Sequence, residues 1–211
     1  MNVFVSVGST SSVEQEEFVR AVEDRLRAEG LVPQTVGRNV FTADSPFSAV
    51  TKLMDNCAGV VVIALERLYI EVGSEKRGGS SQAAIGEVKV ATPWNQIEAT
   101  MGYVRKLPLL MLVEEGVRAD GLLEKGFDWY VQTVTLNAGS LNTSTFNGVL
   151  ASWRHKMSTP PAKVAQAVPL PNEMTVAQLI GALKPAQLWS CLGALAVALA
   201  GAFALGGKLF P

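Results

Sequence analysis

A chain of 211 residues has room for one domain of about 150 residues and for additional segments. Its formal net charge of −1 and its pI near 5.9 give no indication of a nucleic-acid-binding surface, so we expect no nucleic-acid partner. The cysteines, Cys57 and Cys191, allow neither a disulfide framework nor a zinc-ligand spacing, and we expect no metal site.

The beginning of the sequence predicts a strand followed by an amphipathic helix. Residues 2–7 are apolar, and no signal-peptide pattern precedes them, so we expect a reduced, cytosolic domain. A capping box, formed by Ser12 with Gln15 or by Ser11 with Glu14, begins the helix. Helical spacing predicts an inward stripe of Phe18, Val19, Val22 and Leu26 and a solvent-facing set of Glu16, Arg20, Glu23 and Arg27.

The following residues continue this alternation of strands and helices. The run 60–65 is continuously apolar, which is typical of a central parallel strand covered on both faces. Thr92 and Pro93 predict the cap and first position of a helix. Alternating elements of this kind predict an α/β fold with a parallel sheet. The other predicted strands are 31–36, 107–113 and 129–134, and the other predicted helices are 46–58 and 145–156.

A long connection separates the central strand from the helix that Thr92 caps. It covers residues 66–91 and contains the glycine- and serine-rich stretch 73–81. Connections of this length are usually either lids or disordered excursions, and the sequence leaves both alternatives open.

Ligands of parallel α/β sheets bind beyond the carboxyl ends of the strands, where several candidate residues meet. Glu98 follows Trp94 and Asn95 on one helix, near a serine-rich loop that begins at Gly8. This combination suits a ribose pocket, in which a carboxylate binds hydroxyls, stabilises an oxocarbenium ion or attacks the anomeric carbon. The alternative is an exposed glutamate that stabilises the helix N-terminus.

The remaining candidates are polar residues at the ends of the first and central strands. Ser6 and Ser9 are candidates for contacts with ribose or phosphate, although serines there are also ordinary turn residues. Arg67 is a candidate phosphate ligand or the partner of an exposed glutamate. The candidate ligand-binding residues are therefore Ser6, Gly8, Ser9, Arg67, Trp94 and Asn95.

The end of the sequence predicts a membrane anchor. Residues 188–207 are 20 uncharged residues, enough to cross a hydrocarbon core of about 30 Å, and the predicted span is 188–210. A proline-rich linker, 158–174, and an amphipathic juxtamembrane helix, 175–187, precede it. Basic residues upstream predict a single-pass protein of the inner (cytoplasmic) membrane, with its N-terminal domain in the cytosol. The alternatives are a buried helical hairpin and an interfacial helix.

These motifs resemble those of TIR domains and nucleoside 2-deoxyribosyltransferases. The opening V-F-V-S-V, the helix after it and Gly30 resemble the first β-α unit of both families, and the segment 49–64 resembles their next helix and central strand. The spacing from Trp94 to Glu98 resembles the TIR W-C-x-x-E element, whose glutamate cleaves NAD. The resemblance covers residues 2–136.

The chain also departs from both families. Asn95 replaces the usual cysteine of the TIR element, and the transferase pattern D-x-G-T-x-x-E is absent around residues 92–98. Residues 69–91 are an insertion relative to either pattern. These differences leave the substrate and turnover itself open.

The resemblance implies a flavodoxin-like three-layer fold over residues 1–157, with Glu98 as the catalytic residue. It implies action on the N-glycosidic bond of NAD or a nucleotide, without a separate cofactor, in a homo-oligomer active in bacterial defence or stress signalling. The alternative is a non-catalytic nucleotide sensor whose clustering makes its membrane helices perturb the bilayer. A scaffolding module, in which Glu98 is dispensable, is a third possibility.

Overall fold

The computed structural model describes residues 1–158 and, further along the chain, residues 189, 190, 193, 196, 197 and 200. The chain divides into two units, Met1–Pro160 and Pro161–Pro211. Apart from Ser158 and those six positions, the predicted linker, juxtamembrane helix and membrane span lie outside the described residues. Among the described residues, no helix has both the length and the apolar character needed to cross a bilayer.

Residues 1–158 form seven strands and four α-helices. The strands are β1 (Asn2–Val7), β2 (Val32–Gln34), β3 (Val60–Ala64), β4 (Leu68–Glu75), β5 (Ala83–Val90), β6 (Leu109–Glu114) and β7 (Tyr130–Val134). The helices are α1 (Val13–Ala28), α2 (Pro46–Met54), α3 (Pro93–Val104) and α4 (Ser144–Ser158). Short 3-10 turns at Gly121–Leu123 and Ala138–Asn142 flank β7.

The central sheet has five strands in the order β2-β1-β3-β6-β7, and all four neighbouring pairs are parallel. Numbered along the chain within this sheet, the order is 2-1-3-4-5, as in flavodoxin-like folds. The predicted parallel α/β fold is therefore confirmed. The chain first extends the sheet from β1 towards β2 and then returns to the other side, so the topological switch point lies between β1 and β3.

Each face of the sheet is covered by helices and carries its own apolar core. On one face α1 and α4 contribute Phe18, Leu26 and Trp153, and on the other face α2 and α3 contribute Met54 and Ala99. The five residues of β3 are completely buried, as the continuous apolar run predicted. The predicted inward stripe of α1 is confirmed, because all four of its members are buried.

The predicted solvent exposure of Glu23 is wrong. Glu23 is only 7% exposed, because Arg38 from the connection after β2 covers this part of α1. The Glu23 carboxylate lies 3.3 Å from Arg38 Nε and 3.3 Å from Arg27 Nη2. Because Arg38 is not part of α1, the spacing of residues within the helix could not predict this ion pair.

Several element ends also differ from the sequence prediction. The second strand is shorter than predicted, and Asn39, whose side chain binds the Thr35 N–H and the Pro33 carbonyl, organises a turn immediately after it. Helix α2 ends at Met54 rather than near Ala58. Strand β6 begins after Pro108, whose carbonyl accepts hydrogen bonds from Val60 N–H and Trp153 Nε1.

The segment 66–91 forms a regular hairpin, which contradicts the disordered alternative. Strands β4 and β5 pair antiparallel from Leu68 opposite Val90 to Glu75 opposite Ala83. Its turn contains Gly78 in a left-handed conformation, with φ of 79°. The hairpin stands apart from the five-stranded sheet, and the lid alternative stays a prediction.

Helix α3 packs closely on the sheet because Gly102 carries no side chain. A Cβ at position 102 would lie 2.7 Å from Val60 Cγ2 and 3.0 Å from Leu109 Cδ2. We therefore expect Gly102→Ala to lower the free energy of unfolding by about 1–2 kcal/mol, because α3 must shift away from β3. Urea unfolding followed by circular dichroism measures the change.

Gly148 on α4 provides the matched control for this substitution. A Cβ there would meet no atom within 4 Å, and the position is exposed. Gly148→Ala should therefore raise the free energy of unfolding slightly, because alanine favours helix more than glycine does. Equal effects of the two substitutions would contradict the close packing of α3 as the cause.

Candidate functional site

A cavity of about 300 Å³ lies at the topological switch point, beyond the carboxyl ends of β1 and β3. Of the residues selected from the sequence, Gly8, Ser9, Arg67, Trp94 and Glu98 line this cavity. The rest of the lining consists of Val7, Val36, Pro46, Val50 and Thr92. The structure thus brings together candidates that are up to 90 positions apart in the sequence.

The lining of this cavity combines polar and apolar residues. Besides Glu98, its polar members are Ser9, Arg67 and Thr92, and its larger apolar members are Val36, Pro46, Val50 and Trp94. Trp94 is 40% exposed, so part of its indole ring is available to a ligand. An apolar lining with a few polar groups is typical of small-molecule binding, and the cavity volume lies at the lower end of the usual range of about 300–1,000 Å³.

A larger cavity, of about 630 Å³, lies at the other end of α3. Its lining includes Tyr103, Lys106, Trp129 and Lys156. We assign the candidate site to the smaller cavity, because ligands of parallel sheets bind at the carboxyl ends of the strands and Glu98 lies there.

Glu98 is the carboxyl group of the smaller cavity. Helix α3 presents it from its sixth position, and Thr92 caps that helix by accepting a hydrogen bond from the Trp94 N–H at 3.4 Å. Burial raises the pKa of Glu98 to about 7, and a hydrogen bond with the Ser6 hydroxyl acts in the opposite direction. Both protonation states are therefore populated at neutral pH. The alternative of an exposed, capping glutamate is wrong, because Glu98 is partly buried in a cavity.

Ser6 and Asn95 lie behind Glu98 and do not line the cavity. Ser6 is fully buried at the end of β1, and Asn95 is 1% exposed. Asn95 Nδ2 lies 3.0 Å from Ser6 Oγ, 3.4 Å from the Ser6 carbonyl and 3.5 Å from the Ile63 carbonyl. Carbonyl oxygens only accept hydrogen bonds, so these contacts fix which end of the amide is the nitrogen. Asn95 thereby joins α3 to β1 and β3, one turn before Glu98.

The other end of the Asn95 amide lacks a donor. Within the described residues Oδ1 is buried and has no hydrogen-bond partner. Asn95 lines a small void of about 10 Å³ together with Gly8, Ser9 and Thr92, which also line the main cavity. This volume matches one water molecule or one hydroxyl group. Since an unpaired buried acceptor is unfavourable, a donor from solvent or ligand is expected at this oxygen.

Arg67 and Ser9 are joined by a hydrogen bond in the lining of the cavity. Arg67 Nη1 donates a hydrogen bond to Ser9 Oγ at 2.9 Å, whereas Glu66 pairs with Lys89 at 3.0 Å instead of with Arg67. A guanidinium has five N–H donors and is well suited to phosphate or carboxylate. Gly8 lets this loop approach α3, since a Cβ there would lie 3.0 Å from Thr92 Cγ2.

Sequence reasoning missed the residues that support Arg67. Glu114 and Gln15 are buried polar residues beside the carboxyl end of β3, and Lys89 reaches the same place from β5. The available signal was a glutamate directly after the apolar run L-L-M-L-V of β6. Among the described residues, no group of three or more histidine, cysteine, aspartate or glutamate side chains is arranged to hold a metal ion.

Comparisons with solved structures give distant neighbours. No protein-family model matches the chain, and no curated protein matches it. The Clostridium botulinum CMP N-glycosidase BcmB is 12% identical with a TM-score of 0.39, covering 66% of this chain and 93% of its own. The TIR domains of the activated Roq1 resistosome, which recognises the pathogen effector XopQ, are 14% identical with a TM-score of 0.36, covering 74% and 81%. At this similarity neither neighbour assigns a family or an activity.

Proposed function

We propose that the chain acts on the N-glycosidic bond of NAD or of a nucleotide, with Glu98 as the reacting carboxylate. The observation that supports this proposal is the position of Glu98, in a cavity at the switch point, with its pKa raised to about 7 by burial. Carboxyl groups with strongly raised pKa values in clefts are typical of functional sites. The polar lining residues suit ribose and phosphate, and the apolar lining residues suit a base.

Cleavage of an N-glycosidic bond develops positive charge at the anomeric carbon. The bond from that carbon to the base nitrogen breaks, and its electron pair leaves with the base. An ionised Glu98 stabilises the resulting oxocarbenium ion or adds to it through a carboxylate oxygen. Water, or another acceptor hydroxyl, then forms the final bond to the anomeric carbon, which breaks the bond to the Glu98 oxygen where one has formed, and its proton passes to the Glu98 carboxylate or to solvent.

The composition of the cavity favours a leaving group that needs no proton. In the part of the chain that the structure describes, Glu98 and Arg67 are the charged side chains of the lining, and no histidine belongs to it. A neutral base must be protonated as it leaves, whereas the cationic nicotinamide of NAD leaves as a neutral molecule. A single carboxylate therefore suffices for NAD-like substrates, and we rank these ahead of ordinary nucleosides.

The second candidate is a nucleotide sensor without turnover. The described lining contains no second carboxyl group and no histidine beside Glu98, and this composition and the unpaired Oδ1 of Asn95 suit binding as well as catalysis. For either function we propose a domain that is anchored in the cytoplasmic membrane by residues 188–210 and acts as a homo-oligomer in bacterial defence or stress signalling. The uncharged run 188–207 supports the anchor.

The test uses the full-length protein in nanodiscs, with its assembly state measured by light scattering. The protein is incubated with NAD and with a panel of nucleosides and nucleotides, and released base is followed by chromatography. Base release that depends on Glu98 supports the enzyme and identifies the substrate. An assembled protein that binds a nucleotide without releasing base would instead be the sensor.

The rate of base release is expected to increase with pH. Only the ionised Glu98 stabilises a cationic transition state, and with a pKa of about 7 its ionised fraction grows about tenfold between pH 6 and pH 8. The measurement is kcat/KM as a function of pH over this range. A rate that falls with increasing pH would show that Glu98 acts as an acid, and the roles proposed above would then be wrong.

A further inference from the structure

The main chain just before Arg67 is held by two buried side chains. The Glu66 N–H donates to Glu114 Oε2 at 2.8 Å, and Gln15 Nε2 donates to the Glu66 carbonyl at 3.0 Å. Gln15 is 4% exposed and Glu114 is 7% exposed. Both backbone polar groups of residue 66 are therefore fixed, one by a side chain of β6 and the other by a side chain of α1.

Arg67 itself is fixed from the side of the hairpin. Its N–H donates to the Val90 carbonyl at 2.9 Å, where β5 ends. Its guanidinium then reaches across to Ser9 Oγ at 2.9 Å. The guanidinium thus extends from a backbone that three elements hold, although the side chain itself is exposed.

Lys89 supplies the charge that the buried Glu114 requires. Its Nζ lies 3.4 Å from Glu114 Oε1 and 3.0 Å from Glu66 Oε2. The backbone carbonyl of Lys89 also accepts a hydrogen bond from the Arg118 N–H at 2.8 Å, which attaches β5 to the segment after β6. A buried carboxylate without such a partner would be strongly unfavourable. The same lysine therefore balances Glu114 and anchors the base of the hairpin.

We propose that Gln15, Lys89 and Glu114 are positioning residues for a phosphate subsite formed by Arg67 and Ser9. The ligand group is a phosphate ester of a nucleotide, so the inference rests on the proposed function for the identity of the ligand. A guanidinium on a fixed backbone loses less conformational freedom on binding, which increases affinity for the anion. None of the three touches the reacting atoms, and their contribution acts through Arg67.

A purely structural role for Glu114 predicts a different result. If Glu114 only stabilises the carboxyl edge of the sheet, its loss should affect every ligand of the cavity to a similar degree. If Glu114 instead positions Arg67, its loss should weaken the binding of ligands that carry a phosphate and leave the binding of ligands without one unchanged. AMP and adenosine form a suitable pair of probes, because they differ only in the phosphate.

The experiment measures dissociation constants of the full chain in nanodiscs by calorimetry, for AMP, adenosine and inorganic phosphate. Wild-type protein should bind AMP more tightly than adenosine, and phosphate should compete with AMP. Glu114→Ala should weaken AMP binding about tenfold, the effect of misplacing one charged hydrogen bond, and should leave adenosine within about twofold. Arg67→Ala should remove the preference for AMP.

Glu23→Ala is the matched control, because Glu23 is also 7% exposed and is also paired with basic side chains. It should leave the preference for AMP over adenosine unchanged. Gln15→Met provides a second test in case Glu114→Ala does not fold, because it removes the hydrogen bond to the Glu66 carbonyl without leaving a buried charge unpaired. A several-fold weakening of AMP binding alone is expected.

The proposal is overturned if wild-type protein binds AMP no better than adenosine or binds neither. It is also overturned if the Glu114 and Gln15 variants weaken binding of both ligands equally. These binding measurements require no turnover. The positioning role and the proposed enzymatic function can therefore be contradicted independently of each other. Selective loss of AMP binding without any base release would contradict only the proposed enzyme, and base release without selective loss would contradict only the positioning role.

Discussion

Glu98→Gln is expected to reduce base release by about 1,000-fold or more. Glutamine has nearly the same shape and still accepts a hydrogen bond from the Ser6 hydroxyl, but it neither ionises nor adds to the anomeric carbon. Removal of a single stabilising or nucleophilic group usually has an effect of this size or greater. The measurement is single-turnover base release at pH 8, with the substrate found in the panel.

Glu71→Gln is the matched control, because Glu71 is an exposed carboxylate of β4. Its rate should stay within about twofold of wild type. Ligand binding by Glu98→Gln, measured by calorimetry, shows that the cavity is still formed. A Glu98→Gln protein that retains more than a tenth of the wild-type rate would remove Glu98 from the reaction.

The same substitution is expected to stabilise the protein at alkaline pH. Burial raises the pKa of Glu98 from the usual value of 4.5 to about 7, so the folded state binds more protons than the unfolded state between these values. Stability contributed by this group is therefore lost as pH increases from about 4.5 to above 7. Glutamine has no such dependence. We expect Glu98→Gln to be more stable by about 2 kcal/mol at pH 8, allowing for partial exposure, and equal to wild type near pH 4.

Thermal unfolding of both proteins at pH 4 and pH 8 checks this expectation. Glu16→Gln supplies a control of opposite sign, because hydrogen bonds from Arg38 and Thr10 lower the pKa of Glu16 to about 2. Ionised Glu16 contributes to the stability of the folded state above its usual pKa, and this contribution is lost only in acid. The Glu16→Gln protein should therefore be less stable than wild type at pH 8. A Glu98→Gln protein that is less stable than wild type at pH 8 would contradict the unfavourable burial of this carboxylate.

Together these results would show that the ionised Glu98 side chain lowers the stability of the protein and is also needed for the reaction. Such a conflict is common at active sites, which hold charged groups in poorly solvated places. The loss of base release would also distinguish a catalytic Glu98 from the Glu98 of a scaffolding module. In a scaffolding module, glutamine at position 98 would change neither the rate nor the ligand affinity.

Local patterns in the sequence were sufficient to predict the central sheet and the beginning of α3. The apolar run of β3 indicated a strand that is buried on both faces, and Thr92 with Pro93 indicated the beginning of a helix. The rule that ligands bind at carboxyl ends of parallel strands then placed Gly8, Arg67 and Glu98 near one another. In each case the information lies within a few neighbouring residues.

Contacts between distant segments were not accessible in this way. Alternating apolar residues at 68, 70 and 72 and at 88 and 90 contained the hairpin signal, but the glycine- and serine-rich stretch between them suggested a loop. Glu114 looked like the residue after a strand, whereas its role depends on Glu66, which is 48 positions earlier. Burial of such a carboxylate is decided by its partners and not by its neighbours in the sequence.

The close approach of Gly8 to Thr92 has a consequence for how this chain diverges. A methyl group at position 8 would lie 3.0 Å from Thr92 Cγ2, yet the Thr92 hydroxyl is needed to cap α3. Serine at 92 keeps the hydroxyl and removes the obstructing methyl, so alanine at 8 is compatible with serine at 92. Descendants of this chain should therefore carry alanine at position 8 only together with serine at position 92, whereas serine at 92 is compatible with glycine at 8 as well.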